Sequence, residues 1–243
     1  IRDDLVTGVQ TCALPISKTM NITLMQHSSL EVCAHAIRTC WQSFDNSDDG
    51  GEKDKDLINR VGNKFKHAST LEHLTYTFYI AGVSRALLQE LARHRMASPS
   101  VKSTRYTLKE LKDEISFTDG MSAVELTEKY TNKDEVYADK HMVRASKYLV
   151  WTDELIVDFS SIVALENLRL ALVSGISNDK AKFCLPESYK TELTWTINAR
   201  SLQNFIALRS AKAALWEIRD LADALYQALP SEHQYLFNDC IAK

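Results

Sequence analysis

The amino-acid sequence predicts an α+β fold in which helices flank a small, largely antiparallel sheet. Its 243 residues are 45% hydrophobic, enough for a buried core in one large domain or two small ones. The chain contains seven glycines and four prolines, and this scarcity favours long helices over a loop-rich β-fold. Alternation of apolar and polar residues at 75–83, and a looser alternation at 188–197, indicates two half-buried strands.

The spacing of apolar residues predicts the other elements. A short strand is expected at 21–25, and 45–56 is predicted to be a solvated loop. On the first helix, Cys33, Cys40 and Trp41 fall on the apolar stripe and are expected to be buried. The predicted helices cover 28–44, 57–65, 84–92, 108–114, 124–130, 136–173, a segment opening at 198–199, 215–229 and 231–241.

Charge and cysteine content limit the possible functions. The formal net charge is −3, so any basic site is local and nucleic acid is not expected as a partner. No apolar run approaches the roughly 20 residues of a membrane span. Five scattered cysteines and no secretory segment indicate a reducing compartment, so we expect a cytoplasmic protein without a membrane partner. His67 and His73 lie six positions apart, which does not match zinc-ligand spacing, and no metal is predicted.

The first nineteen residues differ in character from the rest. Their apolar part is broken by Gly8, Gln10 and Pro15, which is not the pattern of a signal peptide. The run is similar to a translated sequencing adapter fused ahead of a natural start at Met20. We therefore expect 1–19 to be a non-native extension and 20–243 to form a single domain, since no internal repeat or linker follows Met20.

A basic stretch follows the helix predicted at 84–92. Ser84 is a suitable N-cap for that helix, and Arg93, His94 and Arg95 fall at its C-terminus, where cations complement the helix dipole. Pro99 ends the helical pattern, and a loop then carries Lys102, Ser103 and Arg105. Between 85 and 109 there are six Lys or Arg residues against one Glu. This composition favours a loop that folds around an anion, with guanidinium groups available for bidentate phosphate contacts.

The order of residues in this stretch indicates a particular family more specifically than its charge does. Arg93-His94-Arg95, followed after seven residues by Ser103, resembles the signature of the flavin-dependent thymidylate synthases, and the resemblance runs from about Met20 to the end of the chain. Two further runs match the family. They are the His-x-Ser-x-x-Glu-His element at 67–73 and the Asn-Ala-Arg-Ser-Leu-x-Asn-Phe-x-x-Leu-Arg run at 198–209.

The resemblance implies reductive methylation of dUMP to dTMP, with methylene-tetrahydrofolate as carbon donor and FAD reduced by NADPH. It also implies a homotetramer, and the spread of candidates over distant segments suggests sites formed between subunits. By resemblance, His67 and Arg209 are catalytic. The FAD contacts are Ser69, Glu72, Arg93, His94, Arg95, Asn198, Arg200 and Asn204, and the dUMP contacts are Gln89, Glu90, Ser103, Arg105, Lys182 and Arg209.

Three positions depart from the family pattern. Lys182 stands where Arg is frequent, so the charge remains but the guanidinium fork is lost. Glu90 stands where many members have Gln, and Val101 where many have Glu. A carboxylate at Glu90 near a substrate phosphate is unfavourable, so Gln89 is the alternative contact. No His–Asp pair is evident to activate Ser103, and we expect it to position the substrate.

The helix that opens at Asn198 carries polar groups on two sides. At about 100° per residue, Arg200 and Asn204 share one face. Arg209 falls on the opposite side, among Leu202, Phe205 and Ile206. A guanidinium in an apolar stripe either extends to solvent or pairs with a specific group. Extension to solvent is the commoner case, and the family match favours pairing.

Two other functions are compatible with parts of the sequence. A thymidylate synthase with a cysteine nucleophile would use Cys184, but Leu185 rather than His follows it. A basic-loop module that binds nucleotides or RNA without redox activity would need aromatic residues for stacking, and only Tyr106 adjoins the arginines. The chain has no Gly-x-Gly-x-x-Gly and no P-loop, so the pyrophosphate of a flavin would need side-chain cations.

Overall fold

The structure is a computed structural model that describes residues 20–130 and 132–242. The expectation for 1–19 lies outside the described residues. Four strands form one antiparallel sheet in the order β1-β2-β4-β3, which confirms the small antiparallel sheet. The strands are β1 Asn21–His27, β2 Thr75–Ser84, β3 Ala97–Val101 and β4 Lys190–Asn198.

The two central strands show why the alternating segments form strands. On β2, Tyr76, Phe78 and Ile80 are fully buried, and the residues between them are half-buried. On β4, Trp195 lies opposite Phe78 in the ladder and is also buried. The inward-facing side chains of both strands therefore supply one apolar surface, against which the helices pack.

Strand β3 was not predicted from the sequence, which indicated only that Pro99 ends the preceding helical pattern. It pairs only with β4, through partners such as Pro99 opposite Trp195, and so lies at the edge of the sheet. Proline cannot donate to a ladder, but an edge strand leaves one side unpaired and tolerates it. Consequently Arg93, His94 and Arg95 lie on a short connection between a helix and this edge strand.

The described residues form twelve α-helices. These are α1 Leu30–Thr39, α2 Glu52–Ile58, α3 Arg85–Leu91, α4 Thr104–Thr107, α5 Ala123–Lys129, α6 Lys133–Ala138, α7 Lys140–Ala145, α8 Leu155–Val173, α9 Asn178–Ala181, α10 Ala199–Arg209, α11 Trp216–Ala228 and α12 Ser231–Gln234. A π-helix at Asn59–Lys64 follows α2. Short 3₁₀ segments lie at Phe44–Asn46, Ala68–His73, Leu108–Asp113, Lys182–Cys184 and Asn238–Cys240.

Several predicted helix boundaries were wrong for local reasons. The first helix ends at Thr39 rather than 44, and Gln42 then adopts a positive φ of 50°. Cys40 and Trp41 are therefore exposed, whereas Cys33 is buried as expected. The loop predicted at 45–56 contains the start of α2.

Two long predicted helices are also broken. The segment 136–173 contains the end of α6 and the whole of α7 and α8. A new helix begins after Asp139 because this residue caps α7, its side chain accepting a hydrogen bond from the His141 amide at 2.7 Å. Asp153 adopts a positive φ of 63° immediately before α8. The segment 231–241 contains α12 and a 3₁₀ turn instead of a continuous helix. Periodicity alone did not reveal these internal caps and turns.

Two clusters of buried side chains fill the fold. The first joins one face of the sheet to α1, α10 and α11, and the second lies among the helices between 108 and 189. Helices are therefore grouped around a small sheet, as an α+β fold requires. No helix among the described residues is long and apolar enough to cross a membrane.

A buried histidine in the first cluster predicts acid sensitivity. The Tyr76 hydroxyl lies 2.8 Å from Nδ1 of His233, which is 1% exposed. Burial lowers the pKa of His233 to about 4, and neighbouring His27 lowers it further. In the unfolded chain the pKa is about 6.5. The folded chain therefore takes up this proton less readily, and stability present above pH 6.5 is lost as the pH falls toward 4, by roughly 3 kcal/mol at most.

Urea unfolding between pH 7 and pH 4 measures this loss. His233→Gln should flatten the pH dependence, although it lowers stability at pH 7. His35, which is exposed, offers the control, because His35→Gln should leave the profile as in the wild type. An unchanged slope in His233→Gln would assign the acid sensitivity to other groups.

Candidate active site

A cavity of about 960 Å³ lies where the α3–β3 connection meets α10. The connection contributes Arg93, His94, Arg95 and Met96, and the 3₁₀ segment before β2 contributes Glu72. The cavity brings together eight of the residues predicted from sequence, namely Glu72, Arg93, His94, Arg95, Asn198, Arg200, Asn204 and Arg209. Segments more than 100 positions apart in the chain thus converge on one concave surface.

Caps at two helix N-termini fix the walls of this cavity. Ser84 caps α3 by accepting from the Leu87 amide at 3.0 Å. Buried Glu217 in turn accepts hydrogen bonds from the amide and the hydroxyl of Ser84. Asn198 ends β4 and caps α10, because its Oδ1 accepts from the Ser201 amide at 2.9 Å. Its side-chain NH₂ stays available, so Asn198 can cap the helix and still donate to a ligand.

Arg209 is paired rather than extended to solvent. Its side chain is 12% exposed, and Nη1 donates to Oε2 of Glu90 at 2.7 Å. Nη2 donates to the Glu90 carbonyl at 3.2 Å, and Nε donates to Nε2 of His94 at 2.9 Å. Three of the five guanidinium N–H groups are occupied in this way, and the residue lines the cavity. The pairing also neutralises the Glu90 carboxylate, which the sequence identified as unfavourable near an anion.

The bond from Arg209 fixes the protonation state of His94. A ring nitrogen that accepts a hydrogen bond carries no proton, so His94 is neutral with its proton on Nδ1. Burial lowers the pKa of His94, the charges of Arg209 and Arg93 lower it further, and Glu90 opposes the shift. The ring also packs edge-on against Phe205, with centroids 4.7 Å apart. Residue 94 therefore presents a neutral imidazole to the cavity.

Cations outnumber anions around the cavity. Four arginines line it, at positions 93, 95, 200 and 209, against one lining carboxylate, that of Glu72. Arg200 donates to Oε1 of Glu72 at 2.7 Å, and Arg93 lies 4.0 Å from Glu90. Arg95 forms no ion pair with any residue in 20–130 or 132–242. The cavity thus favours a ligand with several negative charges.

The other predicted nucleotide contacts do not line this cavity. Arg105 pairs with Oδ1 of Asp179 at 2.9 Å, and the Asn178 side chain donates to the Arg105 carbonyl at 2.7 Å. Lys182 directly follows α9, at the start of the 3₁₀ segment Lys182–Cys184. Ser103 precedes α4, and its carbonyl accepts from the Thr107 hydroxyl. These residues form a separate surface where α4 meets α9.

Three more predicted residues lie apart from the cavity. Gln89 is exposed and donates to Oε2 of Glu187 at 2.8 Å. Ser69 is exposed on the 3₁₀ segment Ala68–His73. His67, which precedes that segment, lines a second cavity.

Sequence reasoning missed part of the lining. Met96, Ser201 and Leu208 take part, as do the small side chains of Ala211, Ala213 and Ala214. The alanine-rich run after Arg209 was the available signal, because small residues let a ligand approach the backbone closely. Within the described ranges no group of His, Cys, Asp and Glu is arranged to hold a metal ion.

An α+β protein with an arginine-lined cavity at a sheet edge has the character of a binder of nucleotide-like polyanions. The family model "Thymidylate synthase complementing protein" matches residues 23–233. The chain belongs to the family of flavin-dependent thymidylate synthases, as the relatives also show. The enzyme of that name from Wolinella succinogenes is 65% identical over 218 residues, covering 90% of this chain and 97% of the relative.

Other comparisons agree. The flavin-dependent thymidylate synthase of Campylobacter jejuni strain RM1221 is 62% identical, over 92% of this chain and 99% of the relative. A crystal structure of thymidylate synthase X from Helicobacter pylori with FAD and dUMP has 52% sequence identity and a TM-score of 0.80. The match covers 92% of this chain and all of that one. The fold and the family expected from sequence are both confirmed.

Proposed function

We propose that this protein converts dUMP to dTMP by reductive methylation, with methylene-tetrahydrofolate as the carbon donor and NADPH as the reductant. The observation that carries the proposal is the convergence of Arg93, His94, Arg95, Arg200 and Arg209 on one cavity. A family member solved with FAD and dUMP supports the choice of ligands. Neither the cysteine-dependent reaction nor RNA binding is favoured by any feature of the cavity.

The residues of the cavity fit FAD. Its volume of about 960 Å³ lies at the upper end of cofactor sites, and its arginines supply charge for a pyrophosphate without a dinucleotide-binding βαβ unit. Arg93, Arg95 and Arg200 would hold the phosphates, with Asn198 and Asn204 donating side-chain hydrogen bonds. Glu72 keeps Arg200 oriented toward the cavity. Ser69 would contact the cofactor from the neighbouring 3₁₀ segment.

When bound and reduced by NADPH, FAD supplies the hydride for this reaction; the protein's own groups orient the reactants and stabilise charge. Arg209, with two N–H groups left by Glu90 and His94, would face the uracil ring and polarise it. His94 stays neutral and adds no charge beside that ring. His67, at the entrance of the neighbouring cavity, would contact the folate.

We assign the dUMP phosphate to the surface where α4 meets α9. Ser103, Arg105 and Lys182 lie on this surface, and an anion could replace Asp179 as the partner of Arg105. Gln89 would be a further contact, because an anion could likewise replace Glu187 as its partner. Glu90 would act through Arg209 and not as a phosphate contact. Because this surface is separate from the arginine cavity within one chain, we propose that the two meet between subunits.

A homotetramer would bring the two surfaces together. The exposed side of α8 supports subunit contact, since Ile156, Val157, Leu170 and Val173 are each 46–54% exposed there. A helix that is apolar on all sides normally lies in an interior or an interface. Sedimentation of the flavin-loaded protein tests this step, because an active monomer would contradict it. We also propose a cytoplasmic location. Cys33, Cys40, Cys184 and Cys240 are free thiols, which is the usual state of cysteines in a reducing compartment.

We propose that residues 20–243 form the functional unit. Removing 1–19 should leave the melting temperature and the flavin content unchanged, because the match to the family model begins only at residue 23. Thermal unfolding and flavin absorbance of the two forms measure this. Loss of either property would show that the first nineteen residues belong to the native structure.

Separate roles for the two cationic surfaces predict separable mutant effects. His94→Ala and Arg95→Ala should weaken flavin retention, and Arg105→Ala should mainly raise the dUMP concentration needed for turnover. Loss of a charge-assisted phosphate contact costs roughly 1.5–3 kcal/mol, about ten- to a hundredfold in affinity. Flavin content after gel filtration and KM for dUMP are the measurements. Equal loss of flavin in all three variants would refute the division.

The decisive test of the proposal is direct. Purified protein should carry a flavin absorbance spectrum and form dTMP only when dUMP, methylene-tetrahydrofolate and NADPH are all present. Arg219→Lys is a suitable control, because Arg219 lines neither cavity. Absence of flavin, or flavin without dTMP formation in the complete mixture, would reject the assignment.

A further inference from the structure

A second cavity, of about 590 Å³, lies between the end of α1, α2 and the π-helix Asn59–Lys64. His67 stands at its edge, and none of the other residues that line it was assigned to the reaction. Its size is within the range of sites for small organic ligands. The lining combines aromatic rings with cations.

Two of the aromatic side chains that line this cavity are exposed to solvent. Trp41 is 81% exposed and Phe65 is 63% exposed, although burial is the usual state of such large apolar groups. Both are held by the backbone. The Trp41 amide donates to the Arg38 carbonyl at 3.0 Å, and the Phe65 amide donates to the Arg60 carbonyl at 2.9 Å, closing the π-helix. π-Helices occur frequently at functional sites.

A buried ion pair to Asp54 holds Arg38, one of the residues that line the cavity. Arg38 is 6% exposed, and its Nε donates to Oδ1 of Asp54 at 3.1 Å. Nη1 of Arg38 also donates to the Ser43 carbonyl at 3.3 Å, so the turn that carries Trp41 is fixed in place. Burial would raise the pKa of Asp54, but hydrogen bonds from Arg38, Gly50 and Ser47 outweigh it and lower the pKa. The pair therefore stays ionised and rigid at neutral pH.

The rim carries positive charge without matching negative charge. Lys53 and Arg60 both line the cavity and are exposed, and neither side chain forms an ion pair within the described chain. No Asp or Glu is among the lining residues. Exposed rings beside unpaired cations suit a planar aromatic group that bears anions, since the rings offer stacking and the cations offer charge-assisted contacts.

A single short segment joins the two cavities. His67 lines the second cavity and Glu72 lines the first, and the 3₁₀ segment Ala68–His73 lies between them. Five residues at about 2.0 Å rise each span roughly 10 Å. An elongated ligand could therefore place one end in each cavity.

We propose that the second cavity binds the anionic aromatic end of an elongated substrate whose reactive end reaches the first cavity. The ring would stack on Trp41 and Phe65, and the anions would contact Lys53 and Arg60. Two substrates of the proposed reaction carry such an end, namely the adenosine bisphosphate of NADPH and the aminobenzoyl-glutamate of the folate. The choice between these substrates rests on the proposed function, but the ligand chemistry rests on the cavity alone.

Isothermal titration of the flavin-loaded protein tests this without turnover. The probes are adenosine 2′,5′-bisphosphate and p-aminobenzoyl-glutamate. Binding of at least one is expected, with its affinity lowered about tenfold by Trp41→Ala and about tenfold or more by the double change Lys53→Gln and Arg60→Gln. Lys140→Gln removes an exposed charge away from both cavities and should leave binding unchanged.

The two probes separate the sources of the ligand. If adenosine bisphosphate binds and competes with NADPH in flavin reduction, the cavity belongs to the reductant. If only p-aminobenzoyl-glutamate binds, it belongs to the folate. Trp41→Phe removes the exposed indole and keeps a ring, so it should retain most of the affinity lost in Trp41→Ala. The proposal fails if neither probe binds, or if binding is the same in Trp41→Ala and in the double variant as in the wild type.

Discussion

Replacing Arg209 by lysine is expected to lower the conversion of dUMP by about 10²-fold or more, the scale seen when one preorganised charge-stabilising donor is removed. Arg209 makes three directed hydrogen bonds, two to Glu90 and one to His94, and keeps two N–H groups for the cavity. An ammonium group keeps the charge but has no planar fork. It cannot hold both neighbours and still present a fixed pair of donors.

Flavin binding should survive this substitution. Arg93, Arg95 and Arg200 remain in the cavity, and the positive charge at position 209 is kept. The sequence placed Arg200 and Arg209 on opposite faces of the helix, whereas the structure shows both lining the same cavity. Retention of flavin is therefore expected from the remaining arginines and not from a separation of the two faces.

Stopped-flow measurements separate the two half-reactions. Reduction of the flavin by NADPH should persist in Arg209→Lys, and reoxidation by dUMP with methylene-tetrahydrofolate should be slow. Arg200→Lys is the matched control from the same helix. Arg200 makes a single bond to Glu72, which an ammonium group can reproduce, so its reoxidation should change little. Normal reoxidation in Arg209→Lys would remove Arg209 from the active site.

The strands show what periodicity can predict. β2 and β4 were identified because each has enough alternating apolar residues to define a buried face. β1 was expected only as a short strand at 21–25, and none of its residues is fully buried. β3 was missed because Ala97–Val101 contains Pro99 and two serines, and its pairing depends on β4, nearly 100 positions later. Long-range pairing of a polar edge strand leaves no local pattern to detect.

In the candidate site, too, local features could be predicted from the sequence and long-range contacts could not. The composition of 85–109 indicated an anion site, and the family resemblance named its members. Which residues share a cavity could not be predicted, since Glu90 and Arg209 are 119 positions apart. The pairing with Arg209 also neutralises the Glu90 carboxylate, which the sequence alone placed beside an anionic ligand.

Phe205→Ala is expected to cause the largest loss of stability at the site. The ring is fully buried in the first cluster and lies edge-on to His94 at 4.7 Å and to Trp195 at 5.2 Å. Truncation of a buried Phe costs about 3–5 kcal/mol, because transfer energy is lost and a cavity remains. For a chain of this size the melting temperature should fall by roughly 10 °C.

The same substitution should also weaken flavin retention, because His94 loses the ring that it packs against. Phe159→Ala separates this effect from general destabilisation, since Phe159 is equally buried but belongs to the second cluster. Thermal unfolding and flavin content after gel filtration, at a temperature where both variants are folded, are the measurements. We expect similar losses of stability but loss of flavin only in Phe205→Ala. Equal flavin content in the two variants would show that Phe205 stabilises the core without orienting His94.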